Sequence, residues 1–282
     1  MTNEYKVIRA LGVNVVRVFD EHKKEIILIG KGIGYKVQPH TIIKPQSIDN
    51  IFIMQNKEEQ KRYEELLDSV SADLIDVADD IILYIQSKAN KKLNEHIHVA
   101  LTDHLSFLVK RCKLGIPIEN PFQNETEVLY PNSVKIAKQV IHILSQRLKI
   151  DIPDGEVGFI AMHIDSAISN EPMGEMHSTN ILISKLVQVI EDSYLIQINK
   201  NSLNYVRLIT HLRFAIKRIK NNEQVRESEE IEHLLKQKFP KCYFLSWKLV
   251  KIMQKDLNTP VDDAEVIYLA LHLYRFTNKK DL

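Results

Sequence analysis

Along the chain, the period of apolar and polar positions changes near Asn56. Before that point β-branched residues alternate with polar ones, so Val13 to Phe19 and Glu25 to Ile29 read as strands, with Asp20 to Lys24 as the turn between them. A glycine cluster from Gly30 to Lys36, a loop from Pro39 to Pro45 and a last strand around Ile51 to Met54 complete what reads as a small antiparallel sheet. A unit of this size buries only a modest core and gains from pairing with a second copy of itself.

After Asn56 apolar residues recur at helical spacing: Tyr63, Leu66, Leu67, Val70, Leu74, Val77, Ile81 and Ile85. Ser71 or Asp73 caps a second helix inside this run, which leaves the charged stretch Lys57 to Glu65 as a linker. Asn94 to Cys112 reads as a helix and Gly115 to Phe122, with Pro117 and Pro121, as a loop. Lys135 to Leu148 is again amphipathic, and Pro153-Asp154-Gly155-Glu156 opens a further helix. Ser169 to Glu175, with Pro172 and Gly174, marks a boundary.

Beyond that boundary the same pattern returns. His104-Leu105-Ser106-Phe107 and Lys110-Arg111 match His211-Leu212-Arg213-Phe214 and Lys217-Arg218, 107 residues later. Glu156 to Ile164 (EVGFIAMHI) matches Glu265 to Leu273 (EVIYLALHL), 109 residues later, and Tyr130-Pro131 matches Phe239-Pro240 at the same offset. The chain therefore carries a duplicated helical module of ordinary domain size. Asp262 with Glu265 three residues on has the form of a capping box at the start of its last helix.

Each copy holds two histidines in the same places. His104 shares a stripe with Ile97, Leu101 and Leu108; His163 lies with Ile160 and Ala167, His211 with Leu208 and Ala215, and His272 with Leu269 and Phe276. Taken singly, each is accounted for as a packed core histidine. Metal binding is disfavoured, because His96 and His98 point to different sides of a helix and no Cys or acid has ligand spacing. Acid-base catalysis is disfavoured too: Asp103 and Asp165 adjoin histidines but diverge on a helix, and no nucleophile motif is present. Phosphoryl acceptance fits better, since a neutral imidazole nitrogen is nucleophilic near physiological pH and a phosphate adds about −1.5 to −2 charges. Lys110, Arg111, Lys217 and Arg218 then either help receive that charge or form a solvated basic face.

Composition bounds the rest. The 282 residues, 44% hydrophobic and 27% charged, are enough for two sizeable cores and a small head. Residues 1 to 55 hold eight Lys and Arg against five Asp and Glu, a mild excess that permits a polyanion partner. No apolar run approaches the roughly 20 residues of a membrane span, the N-terminus lacks a basic signal, and Cys112 and Cys242 suit free thiols; the expected location is the cytoplasm. The glycine cluster leads into a loop rather than a helix, which argues against a nucleotide site. Alone it favours a tight turn; the sharper reading has the backbone approaching a nucleic acid, with Lys31 and Lys36 on phosphates and Tyr35 stacked or packed.

These motifs together resemble one family. LTDH ending at His104, EVGFIAMH ending at His163, ITHLRF around His211 and LALHL around His272 resemble the paired regulation domains of BglG-type transcriptional antiterminators, and VNVV and GKGIGYK resemble that family's RNA-binding domain. NEHIHVALTDH and LALHLYRFTNK are most similar to the glucose-operon members from Gram-positive bacteria. The resemblance implies a multidomain fold: a dimeric, four-stranded RNA-binding sheet over residues 1 to 60, then two duplicated all-α helical bundles over 61 to 171 and 172 to 282. It implies a regulator rather than an enzyme, with no cofactor and no metal. Its partners would be a leader mRNA hairpin overlapping a terminator, the sugar-specific phosphotransferase transporter (glucose enzyme II), the phosphocarrier HPr and a second copy of the chain, without membrane insertion. By matched position, His104, His163, His211 and His272 are the phosphoryl sites, and Asn14, Gly30, Lys31, Gly32, Tyr35 and Lys36 the RNA contacts. The chain departs from many members in keeping only Asn14 of an asparagine run, and in having Lys31, Tyr35 and Lys36 where Arg, Phe and Gln are common. The competing function is a protein-interaction regulator with structural histidines and no RNA target.

Overall fold

The computed structural model describes residues 4–44, 51–116, 118–223 and 229–277, with the side chains of 229 and 275–277 excepted. Pro45, Pro117, Asn278 and Lys279, and the side chain of Phe276, thus lie outside what is described. The chain starts as a sheet of β1 (Tyr5–Ala10), β2 (Val15–Phe19), β3 (Glu25–Ile29), β4 (Ile42–Ile43) and β5 (Phe52–Met54), antiparallel throughout in the order β4-β1-β2-β3-β5. Five strands stand where the resemblance implied four, because Ile42 and Ile43, inside the expected Pro39 to Pro45 loop, pair with Lys6 and Tyr5 at the edge. The strand expected from Val13 begins at Val15; Val13 and Asn14 are drawn out of the ladder to bond the glycine loop, where the Val13 carbonyl accepts from Gly34 and the Asn14 carbonyl from Gly30.

Alternation along the strands gives the sheet two apolar faces. Val16, Val18, Ile26 and Leu28 join Ile33 and Val37 of the loop on one side. Val15, Ile27, Ile29, Phe52 and Met54 face the other way, into a core shared with the helices that follow. One apolar face of the head is therefore covered by the helices of the same chain rather than left open.

The stretch Lys57 to Glu65, expected as a linker, is the start of α1 (Lys57–Ser69). Asn56 caps it by accepting from the Glu58 and Glu59 amides, and Tyr63 on its inner face is fully buried. Arg17 of β2 pairs with Glu64, and the Gln60 side chain donates to the Met54 carbonyl at 2.7 Å, so strand and helix are tied by polar contacts as well as by packing. The helices α2 (Ala72–Lys88), α3 (Ile97–Lys113), α4 (Gln123–Leu129), α5 (Pro131–Leu148) and α6 (Glu156–Ser169) follow; α7 (Met173–Tyr194), α8 (Leu203–Lys220), α9 (Glu229–Lys238), α10 (Pro240–Leu257) and α11 (Ala264–Thr277) repeat them in the same order. By compactness the chain divides into one unit of residues 1–120 and 132–173 and another of 121–131 and 174–282, so α4 groups with the second unit. There Tyr205 of α8 donates to Glu125 at 2.9 Å and Arg213 to the Leu129 carbonyl at 2.7 Å.

A buried polar cluster sits where sheet, α1, α2 and α3 meet. The Tyr63 hydroxyl donates to Asp79 at 2.8 Å, His98 lies 3.9 Å from the same carboxylate, and Phe52 meets the His98 ring edge-on at 4.4 Å. Burial pushes the Asp79 carboxyl from 3.8 up to about 7 and the His98 imidazole from 6.5 down to about 3, so both favour their neutral forms. The native Asp79 keeps its proton where the unfolded chain releases it, so its burial costs stability progressively from about pH 4 to pH 7, by up to roughly 4 kcal/mol. Asparagine keeps the acceptor for Tyr63 and cannot ionise. Asp79→Asn is therefore expected to stabilise the protein against urea at pH 7.5 and to lose that advantage at pH 4.5; lower stability at both pH values would contradict this account.

Candidate functional site

Two helices in each repeat bring the paired histidines together. In the first unit His104 of α3 and His163 of α6 have ring centroids 4.9 Å apart, and in the second His211 of α8 and His272 of α11 stack at 3.4 Å. Residues roughly sixty positions apart in sequence thus share one site, twice. His104 keeps 15% of its side chain exposed. His163 also lines a cavity of about 240 Å³ with Asn94, His96, Ser166 and Asn170, and burial, aided by His104 and His96, lowers its pKa to about 3, leaving a neutral ring.

Behind each pair stands an ion pair that the sequence did not announce. Arg111, only 7% exposed, donates from Nη2 to Oε1 of Glu156 at 2.8 Å; Arg218 grips Glu265 through Nε and Nη2 at 2.7 and 2.8 Å. Both arginines are engaged with a carboxylate, so neither belongs to a solvated basic face. Lys110 and Lys217 remain exposed. Glu265 is likewise no capping-box partner: the Asp262 side chain caps α11 through the Ala264 amide at 2.9 Å, while the Glu265 carboxylate is spent on Arg218. Burial would raise the Glu156 carboxyl, but hydrogen bonding and charge from His104 and Arg111 hold it below 4.5.

The repeats differ at one ring. Phe159 lies 6.1 Å from the His104 ring; its counterpart Tyr268 lies 5.9 Å from His211 and brings a hydroxyl 2.9 Å from Nδ1. Arg218 lies over the Tyr268 ring at 4.1 Å, and the bond to Glu265 raises the already high pKa of its guanidinium. Glu156, Glu265, Phe159 and Tyr268 had one signal in the sequence, their alignment across the repeat. His98 is buried in the cluster below the sheet, and His96 holds Glu59 at 2.9 Å, so neither joins the pairs. Among the described residues no three His, Cys, Asp or Glu side chains are grouped to hold a metal ion. Cys112 and Cys242 are free thiols, and no described helix is long and apolar enough to cross a membrane.

The other predicted residues gather on the loop after β3. Lys31, Tyr35 and Lys36 project outward, Tyr35 at 63% exposure with the Lys36 ammonium 5.1 Å from its ring centre. Asn14 is buried and acts as a brace: its side-chain oxygen accepts from the Gly32 amide at 2.7 Å and its carbonyl from Gly30 at 2.9 Å. Gly32 has φ +69°, and a Cβ on Gly34 would lie 2.0 Å from the Gly12 carbonyl oxygen, so both positions require glycine. The loop is a tight turn that sets two lysines and an aromatic ring beyond the end of β3.

A sheet with a braced basic loop, followed by two helical modules with paired histidines, defines an RNA-binding regulator of the antiterminator class. The CAT RNA binding domain model matches residues 5–61, and the PRD domain model matches 79–167 and again 184–276. The chain belongs to the BglG-type family of transcriptional antiterminators, regulators that bind RNA through the CAT domain and respond to the phosphotransferase system through phosphorylation of their PRD domains. It is 45% identical over 279 residues, 99% of each chain, to the PtsGHI operon antiterminator of Bacillus subtilis (strain 168), and 36% identical over 277 residues, 98% of this chain and 97% of the other, to Protein GlcT of Staphylococcus haemolyticus (strain JCSC1435). A solved structure entitled "Crystal structure of GlcT CAT-PRDI" is 41% identical, covers 58% of this chain and 98% of its own, and superposes with a TM-score of 0.56.

Proposed function

We propose that this protein binds a leader RNA hairpin upstream of a glucose phosphotransferase gene and keeps a terminator from forming, under the control of phosphate on His104, His163, His211 and His272. The observation that carries the reading is the repeated site: two histidine pairs, each accompanied by an Arg-Glu ion pair between the same two helices, downstream of a loop with Lys31, Tyr35 and Lys36 exposed. In this reading Lys31, Gly32, Tyr35 and Lys36 meet the RNA, while Asn14 and Gly30 act by shaping the loop. The chain works in the cytoplasm as a homodimer, without catalytic activity of its own. Its domains run 1–60, 61–171 and 172–282; glucose enzyme II and HPr supply the phosphate. The similarity to the Bacillus and Staphylococcus proteins supports this choice of gene and sugar.

Lys31→Ala in the full chain tests it. Each phosphate neutralised releases condensed counterions, so removing one cation lowers the slope of log K against log salt by about 0.7 to 0.9. The expected result is weaker hairpin binding with that shallower slope and unchanged melting. Binding insensitive to Lys31 and to salt would favour the protein-interaction regulator instead.

A further inference from the structure

The two nitrogens of His104 stand in different surroundings. Nε2 is buried and stands 3.3 Å from Oε2 of Glu156, at ion-pair distance but outside hydrogen-bond geometry, while Oε1 of the same carboxylate is held by Arg111. The exposed 15% of the side chain therefore lies on the other side of the ring, where Nδ1 has no hydrogen-bond partner among the described residues. A carboxylate accepts and cannot donate, so the proton of the neutral imidazole belongs on Nε2 and the lone pair on Nδ1. In the second repeat the arrangement changes: both oxygens of Glu265 go to Arg218, and the Tyr268 hydroxyl occupies Nδ1 of His211.

We propose that Glu156 is a positioning residue that fixes the tautomer of His104 and makes Nδ1 the nitrogen that takes the phosphoryl group, a route particular to the first repeat. This rests on the reading of His104 as a phosphoryl acceptor. The Nδ1 lone pair attacks the phosphorus of a phosphocysteine or phosphohistidine on a phosphotransferase protein. An N–P bond forms as the donor's S–P or N–P bond breaks, and the donor thiolate or imidazole leaves with the electron pair. The ring then carries substituents on both nitrogens and a positive charge, which the Glu156 carboxylate stabilises by holding or accepting the Nε2 proton. Arg111, bound to Oε1, keeps that carboxylate turned toward the ring.

The experiment phosphorylates the full-length chain with phosphoenolpyruvate, the general phosphotransferase proteins and the cytosolic domains of the glucose transporter. Mass spectrometry then locates the phosphate, and ¹⁵N–³¹P correlation spectra or isomer-specific antibodies identify the nitrogen. The expected product is Nδ1-phosphohistidine at His104, with no Nδ1 isomer at His211. An Nε2 isomer at His104 overturns the proposal and leaves the acceptor reading intact; no phosphate on His104 in a chain phosphorylated elsewhere overturns both. Glu156→Gln supplies a second readout. Its single carbonyl oxygen goes to Arg111, and its NH₂ turns to Nε2, which moves the ring proton to Nδ1. His104 phosphorylation should fall at least roughly tenfold in a chain that still melts cooperatively; the analogous amide change in a catalytic triad costs about 10⁴. A folded Glu156→Gln chain with an unchanged rate and isomer would refute the positioning role.

Discussion

Glu156→Ala is expected to lower the unfolding free energy of the first unit by about 3–5 kcal/mol, the cost of leaving a buried charge without its partner. Arg111 is 7% exposed, and its Nε already lacks a hydrogen-bond partner, so the Glu156 carboxylate is what offsets its desolvation. The carboxylate joins α3 to α6 and so also fixes the spacing of His104 and His163. Its pKa is held below 4.5, so its contribution is fully present above that pH and is lost as pH falls through the lowered native value. The destabilisation by Glu156→Ala should accordingly be larger at pH 7 than at pH 3. Replacing both partners, Arg111→Leu with Glu156→Leu, should recover most of the stability, because no charge is then left buried. Glu265→Ala should cost less, since Arg218 keeps 19% of its side chain in solvent. Urea unfolding of the three variants at both pH values checks the set; a loss below about 1 kcal/mol for Glu156→Ala would mean that water reaches Arg111.

Periodicity was a good guide wherever one face of an element alone decides burial. The alternation in β2 and β3 and the 3.6-residue stripes of α3 and α5 are properties of neighbouring residues, and the elements stand within a few residues of where the pattern puts them. The duplication was legible because whole motifs repeat. What the pattern missed depends on partners distant in sequence. Lys57 to Glu65 looks like a linker because its polar residues outnumber its apolar ones, yet Tyr63 and the Arg17 to Glu64 pair bind it to the sheet. Strand β4 has two residues and exists only because Lys6 and Tyr5 lie beside it. Arg111 follows Lys110 in a run that reads as a basic surface, and only the fold shows one cation buried on Glu156 and the other in solvent. Asn14 matched an RNA-contact position by motif, and only the fold shows that its side-chain oxygen accepts from the Gly32 amide and braces the loop.

His104→Ala is expected to give antitermination without glucose at the level that wild type reaches with glucose. The substitution removes the proposed accepting nitrogen while leaving the ion pair behind it, since Arg111 still holds Oε1 of Glu156, so the fold should lose only about 1 kcal/mol. On the proposed reading, a phosphate on His104 in the absence of sugar adds about −1.5 to −2 charges to a site that already holds the Glu156 carboxylate. The like charges repel in a site with little water, and the states that separate them gain population. A nearly complete switch needs a difference of about 5.5 kcal/mol in how the phosphate favours the two states. On the same reading, phosphate drains to the sugar when glucose is transported, and the repulsion disappears. His104→Asp should lower read-through below that of His104→Ala, with less effect than phosphate because it carries a single charge. A terminator reporter measured with and without glucose decides the outcome: a folded, RNA-binding His104→Ala chain that stays repressed without glucose would remove His104 from the switch, whereas one that unfolds would make it a core residue.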